Sequence, residues 1–184
     1  NYEDYNKSVG IESPSYISLL DSSKSGQSGI RSELAPTMIK FADENKNKFD
    51  NIGIFEIGRT FDELLENNLV NEKKKLAIVL ASEIETEKTL YFRLKQVVEY
   101  LATFVSGKIN FENGVENNLL HPINSCKITS GNITIGEMGI MHPAINKNVD
   151  KRKTFAVLEL DVNKLLEIQK VDFKVTPTSK FQSV

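Results

Sequence analysis

Residues 51–61 place Ile52, Ile54, Phe55, Ile57 and Phe61 so that odd and even positions are both apolar. A run this short, rich in β-branched and aromatic side chains, does not fit a helical period and predicts a central strand covered on both faces. Gly53 and Gly58 argue against a helix as well. A glycine inside a strand marks a bulge or a close backbone approach, expected here at Gly58. Glu56 and Arg59 lie in the same run, where an unpaired charge is costly, so each is expected to find a partner or to reach solvent.

The rest of the chain supplies what can pack around that strand. Residues 1–14 are polar without a clear period and are expected to be loose at the end. Residues 16–20 read as a short strand, followed by a turn-rich loop over 21–29 whose glycines, lysine and hydroxyls lack P-loop spacing. Ile30, Leu34, Met38 and Phe41 recur at helical steps with Ala35 and Ala42 beside them, one face of an amphipathic helix. Pro36 lacks an amide hydrogen and fits a first turn, so the helix starts near Leu34 or Ala35, and the polar tract 43–50 ends it. Residues 63–68 read as a loop or short helix. Lys73, Lys74 and Lys75 read as a solvated lead into a strand through Leu76, Ile78, Val79 and Leu80. Leu90, Leu94, Val97, Val98, Leu101 and Phe104 give the most secure helix, over 89–104, stopped by Gly107. A short strand over 108–111 and an Asn113-Gly114 turn follow. Cys126 and Ile128 alternate with Lys127 and Thr129, residues 130–132 turn, and Ile133 and Ile135 resume the alternation, a hairpin running on toward His142-Pro143. One helical turn over 144–148, a strand over 155–160 and a short helix beginning at Val162, Leu165 and Leu166 complete the pattern. This is an α+β domain, an antiparallel sheet with helices packed on it.

Chemistry is thin on this framework. At 184 residues a domain buries roughly 70% of its unfolded surface, so a real core is available. With 40% apolar and 26% charged residues the chain is not a disordered one. No apolar run reaches the length of a membrane span and no charged-then-apolar leader stands at the start, which predicts a cytoplasmic protein. The first residue is Asn1, not methionine, which suggests a piece of something longer. A net charge of −2 leaves no overall footprint for nucleic acid. Cys126 is alone, which excludes an internal disulfide. His121, His142 and Cys126 could nominally supply three zinc ligands, but they lack paired short spacings, and both histidines precede proline, a turn signature. Cys126 is in phase with Ile128 and reads as a small core hydrophobe. Asn132-Ile133-Thr134 matches a glycosylation acceptor by chance, and Glu83, Glu85 and Glu87 read as a solvated face. Residue chemistry alone describes a domain with no visible active site.

A set of local motifs goes further. In order they are Leu19-Leu20, then Ile30-Arg31-Ser32-Glu33-Leu34-Ala35-Pro36, then Ile54-Phe55-Glu56-Ile57-Gly58-Arg59-Thr60-Phe61. Leu94-Lys95, His121-Pro122, Ile135-Gly136-Glu137-Met138-Gly139-Ile140-Met141-His142-Pro143 and Phe155-Ala156-Val157-Leu158-Glu159-Leu160-Asp161 follow. Each is loose alone. Their order and spacing over 16–166 resemble the β subunit of phenylalanyl-tRNA synthetase, in its catalytic-like module, a degenerate copy of the class II synthetase core. The tail over 177–184 resembles the start of the anticodon-binding domain that follows in that family. The resemblance divides the chain into a lead-in over 1–15, a core module over 16–169 and a linker over 170–184.

It also implies a class II synthetase-like fold and a module without catalysis of its own. Class II enzymes hold the ATP phosphate with an arginine just after the strand that residues 55–61 resemble, and here Asp62 stands there. A carboxylate offers no donor fork for phosphate. Their last motif is a glycine-rich strand running into a helix with a second arginine. Here Leu158 and Leu160 occupy the strand, expected to fill the space of the adenine, and Lys164 stands near the arginine position. His121-Pro122 is followed by Ile123 and Asn124 where the family has glycine and arginine, and the long dimerisation helix is not recognisable in 1–14. The implied partner is a catalytic α subunit in a heterotetramer acting on tRNA(Phe), with ATP and magnesium bound in the parent complex. A divergent paralogue acting as a ligand-binding or interaction domain fits the same residues.

Overall fold

The computed structural model describes residues 2–12, 17–18, 29–65 and 69–168. In chain order the elements are α1 (Tyr2–Val9), β1 (Ile17–Ser18), β2 (Gly29–Ile30), α2 (Ala35–Asn45), β3 (Asn51–Leu64), β4 (Val70–Ser82), α3 (Glu87–Ala102), β5 (Ile109–Glu112), β6 (Leu120–Ser130), β7 (Ile133–Met141), α4 (Pro143–Val149), β8 (Thr154–Asp161) and α5 (Val162–Glu167). Strands β3 to β8 form one antiparallel sheet in the order β3-β4-β8-β7-β6-β5. The α+β class expected from the sequence, an antiparallel sheet with helices packed on it, is observed.

Period-two alternation divides the core between the two faces of the sheet. Ala77, Val79 and Ala81 of β4 and Phe155 and Val157 of β8 meet Leu34, Met38 and Ile39 from the α2 side, together with Val9 of α1 and Ile145 of α4. On the other face Ala156, Leu158 and Leu160 join Met138 and Ile140 of β7 beneath Leu90, Leu94 and Val98 of α3. β8 is therefore apolar on both faces for most of its length, as a strand in the middle of a sandwiched sheet must be.

The strand over 51–61 is present, but it is the edge of the sheet and not its centre. Ile52 is buried toward α2, while Phe55 and Ile57 are 74% and 56% exposed on the opposite side. Apolar character at both parities does not report the position of a strand within a sheet. Glu56 accepts from Arg31 Nη2 at 2.5 Å and Arg59 lies 3.3 Å from Glu72, so both internal charges are partnered. Gly58 is a point of close approach: a Cβ there would meet Arg31 Nη2 at 2.6 Å.

The secure helix appears as α3, two residues earlier at each end than the apolar pattern placed it, with Thr86 accepting from the Thr89 amide as its N-cap. α2 starts at Ala35 with Pro36 in its first turn, but its buried face uses Ile39, and Phe41 is exposed. Residues 63–64 continue β3 instead of forming a loop or helix. Residues 2–9 form a helix where no period was legible, and it packs against α2 and α4. The loop over 21–28 and the segment over 169–184 lie outside the described residues. Among the described residues no helix is long and apolar enough to cross a membrane.

Candidate functional site

Where β8 runs into α5, the α2 face of the sheet opens into a cleft of about 240 Å³. Lys73 and Lys75 of β4, Glu137 of β7, Glu159 and Asp161 of β8, Lys164 of α5 and Glu33 from the segment before α2 carry its charges. Its floor is built on Gly136, where a Cβ would meet the Glu159 carbonyl at 2.2 Å, so β7 and β8 can approach there only with a glycine.

Glu159 organises the cleft. Its Oε2 accepts from the Leu34 and Ala35 amides at 3.1 and 2.9 Å, and its Oε1 accepts from Lys75 Nζ at 2.7 Å. The first turn of α2 has no side-chain cap of its own, since Leu34 stands at the N-cap position. A carboxylate from β8, 125 residues away along the chain, fills that role and sits where the helix dipole favours negative charge. Lys75 also donates to the Ser32 carbonyl at 3.1 Å. Three hydrogen bonds to one carboxylate make this a satisfied, half-buried group.

The other cations are engaged too. Lys73 donates to Asp62, and Asn71 donates to the same carboxylate at 2.9 Å. Burial alone would raise the Asp62 carboxyl, but the Lys73 hydrogen bond and charge, with a smaller pull from Lys75, hold it below the usual carboxylate range. Lys164 Nζ donates to the Thr134 carbonyl at 2.9 Å, and Asp161 caps α5 through the Lys164 amide at 3.1 Å. Glu33 and Glu137 are the carboxylates of the cleft with no hydrogen bond or ion pair among the described residues. Burial, then the nearby Glu159 charge, push the Glu33 carboxyl up to about 7 against the pull of Lys75, with a smaller push from Glu137.

Of the four positions singled out from the sequence, Asp62 and Lys164 are here, one through Lys73 and the other on the wall. Leu158 belongs to the cluster beneath α3, and Leu160 belongs to the same cluster and only borders the cleft. Within the cleft the central charged contact is the Lys75 and Glu159 pair. Neither role is legible in the sequence, where Lys75 reads as a solvated lead into a strand and Glu159 as one letter of a motif. The spacing that joins them is cross-strand, Ala77 opposite Glu159, with Lys75 one pleat further on the same face.

This arrangement does not suit ATP. Among the described residues each lysine of the cleft already has an acceptor, no arginine lines it, and two carboxylates stand unpaired against an incoming triphosphate. Among the described residues no three His, Cys, Asp or Glu side chains are grouped to hold a metal ion, magnesium included. The histidines serve the backbone. His121 Nδ1 accepts from the Ile123 and Asn124 amides at 3.0 and 3.1 Å, and His142 Nδ1 accepts from the Ala144 amide at the start of α4. Cys126 is buried and takes the Tyr91 hydroxyl at 3.2 Å, and burial raises its thiol above the ordinary range, against the opposing effects of Tyr91 and Lys95. The carboxylates read as a solvated face are in use: Glu83 accepts at 3.0 Å from the fully buried Lys153, Glu85 pairs with Arg93, and Glu87 accepts from Asn124.

A family model described as the phenylalanyl tRNA synthetase beta chain CLM domain matches residues 3–162. The phenylalanine--tRNA ligase beta subunit of Syntrophus aciditrophicus is 31% identical over 77% of this chain and 19% of its own length. That of Carboxydothermus hydrogenoformans is 29% identical over 100% of this chain and 24% of its own length. The chain thus spans about a fifth to a quarter of the length of these relatives. Among solved structures, a pyrrolysyl tRNA synthetase of Desulfitobacterium hafniense superimposes with a TM-score of 0.61 at 19% identity, covering 83% of this chain and 52% of that one. At that identity the likeness speaks for the fold alone.

Proposed function

The chain belongs to the family of the phenylalanyl tRNA synthetase beta chain CLM domain, and from that premise we propose that it is the non-catalytic structural module of a phenylalanine-tRNA ligase β subunit. In this reading it supports an α subunit that attaches phenylalanine to tRNA(Phe) with ATP. The observation that carries the reading is the Lys75 and Glu159 pair: the cation that could receive a phosphate is held by an internal carboxylate, and that carboxylate also occupies the α2 amides. A class II core in which the chain's own side chain sits in the nucleotide cleft is a degenerate one. Asp62 and Lys164 are its altered positions, while Leu158 and Leu160 contribute to the core beneath α3. ATP and magnesium then belong to the α subunit, the assembly is a cytoplasmic heterotetramer, and residues 16–169 form the module between a lead-in and a linker toward an anticodon-binding domain.

Two measurements test this together. Calorimetric titration with ATP and magnesium is expected to show no binding. Light scattering of the full-length β subunit with the α subunit of the same organism is expected to show a stable complex whose aminoacylation requires both. ATP bound in the cleft would end the scaffold reading. Absence of a complex with the full-length subunit would instead favour a divergent paralogue with an interaction or ligand-binding role.

A further inference from the structure

The contacts on residues 32–35 close from two sides. Lys75 Nζ holds the Ser32 carbonyl at 3.1 Å and the Glu159 carboxylate at 2.7 Å, and the second oxygen of that carboxylate holds the Leu34 and Ala35 amides. One lysine and one carboxylate therefore clamp the backbone on either side of Glu33. The Glu33 side chain is half-buried between the cleft and an adjoining recess of about 450 Å³ that Glu12, Glu116 and Glu137 also line.

Its surroundings are unequal in sign. Glu159 and Asp161 come from β8, Glu137 from β7, Glu12 and Glu116 from the walls of the recess, Lys73 and Lys75 from β4 and Lys164 from α5. Each of those three lysines already has an acceptor: Asp62 for Lys73, Glu159 for Lys75 and the Thr134 carbonyl for Lys164. A second carboxylate ionised here must share Lys75 with Glu159 and the Ser32 carbonyl and stands close to the Glu159 and Glu137 charges.

We propose that Glu33 is a proton-operated latch on the N-terminus of α2: neutral, it leaves the Lys75 and Glu159 clamp closed; ionised, it competes for Lys75, repels Glu159 and Glu137, and releases residues 32–35. Burial and the Glu159 charge place its carboxyl at about 7, so the latch works across neutrality. The sign follows from linkage. The folded value lies above the unfolded one, so the closed state is fully favoured below the ordinary glutamate range and loses that advantage as pH rises through about 7.

The test is backbone amide hydrogen exchange, corrected for its intrinsic pH dependence, on the wild-type chain and Glu33→Gln. Leu34 and Ala35 are the reporters, and Leu94 and Val98 of α3 are the internal reference. Protection at Leu34 and Ala35 is expected to fall roughly tenfold or more between about pH 5 and 8 in the wild type and to stay level in Glu33→Gln, with the reference unchanged in both. Level protection in the wild type, or the same fall in Glu33→Gln, overturns the latch. A carboxyl-carbon titration of Glu33 in the wild type needs no variant: a midpoint near 7 supports the proposal, and one in the ordinary glutamate range overturns it.

Discussion

The two faces of β8 are filled by different physics. Toward α3, Ala156, Leu158 and Leu160 pack into an apolar cluster with Leu90, Leu94 and Val98, in which Tyr91 donates to Cys126. Toward α2, Phe155 and Val157 begin in the same way, but Glu159 and Asp161 then carry charge into a cleft. A charge can stay at that depth because Lys75 and two helix amides satisfy it. The comparison teaches that a strand at the centre of a sheet can serve a core on one face and a polar junction on the other within eight residues.

Substitutions on each face can break this comparison. Leu158→Ala, at a fully buried position, is expected to have the largest effect, costing about 2–5 kcal/mol in a denaturant titration. A loss well below that range would mean that the site beneath α3 collapses easily and that the core is looser than its burial implies. Glu159→Ala comes next, at about 1–3 kcal/mol, because it orphans the Leu34 and Ala35 amides and leaves Lys75 unpaired. The same variant is expected to lower the midpoint of Glu33, since the Glu159 charge helps to raise it. An unmoved midpoint would leave burial as the whole cause.

Asp62→Asn should cost less than about 1 kcal/mol at neutral pH, as expected of a partly exposed ion pair. The Asp62 carboxyl is depressed in the folded state, so its contribution is present above the unfolded value and is lost as pH falls through the folded one. Thermal melts of wild type and variant should therefore converge toward acid, and a constant gap would remove the charge from the explanation. The smallest effect belongs to the outer edge. Phe55→Asp is expected to shift stability by no more than about 0.5 kcal/mol, because Phe55 is exposed. A large loss in chemical denaturation would show that β3 is covered after all.

Local pattern was enough for much of the fold. The period of Leu90, Leu94 and Val98 marks α3, Pro36 marks the start of α2, and the turn at 130–132 marks the hairpin of β6 and β7, because each depends on residues close together in the chain. Cys126 was placed in the core from its alternation with Ile128 alone, and both are buried. The resemblance supplied the family. The rank of β3 within the sheet was not legible. An edge strand with exposed Phe55 and Ile57 has the same letters as a buried one, and strand order is set by pairings between distant segments.

The same reason separates what the amino-acid order decides from what the tertiary fold decides at the cleft. Alternation along β8 already assigns Leu158 and Glu159 to opposite faces, since successive side chains in a strand must diverge. It does not say which face meets which helix. That Glu159 caps α2 and captures Lys75, and that Glu33 is left among carboxylates with no free cation, follows only when β4, β8 and the first turn of α2 are brought together. Secondary structure is a short-range property of the chain, whereas the charge state of a buried side chain depends on every group within a few ångströms, and those groups come from four separate elements.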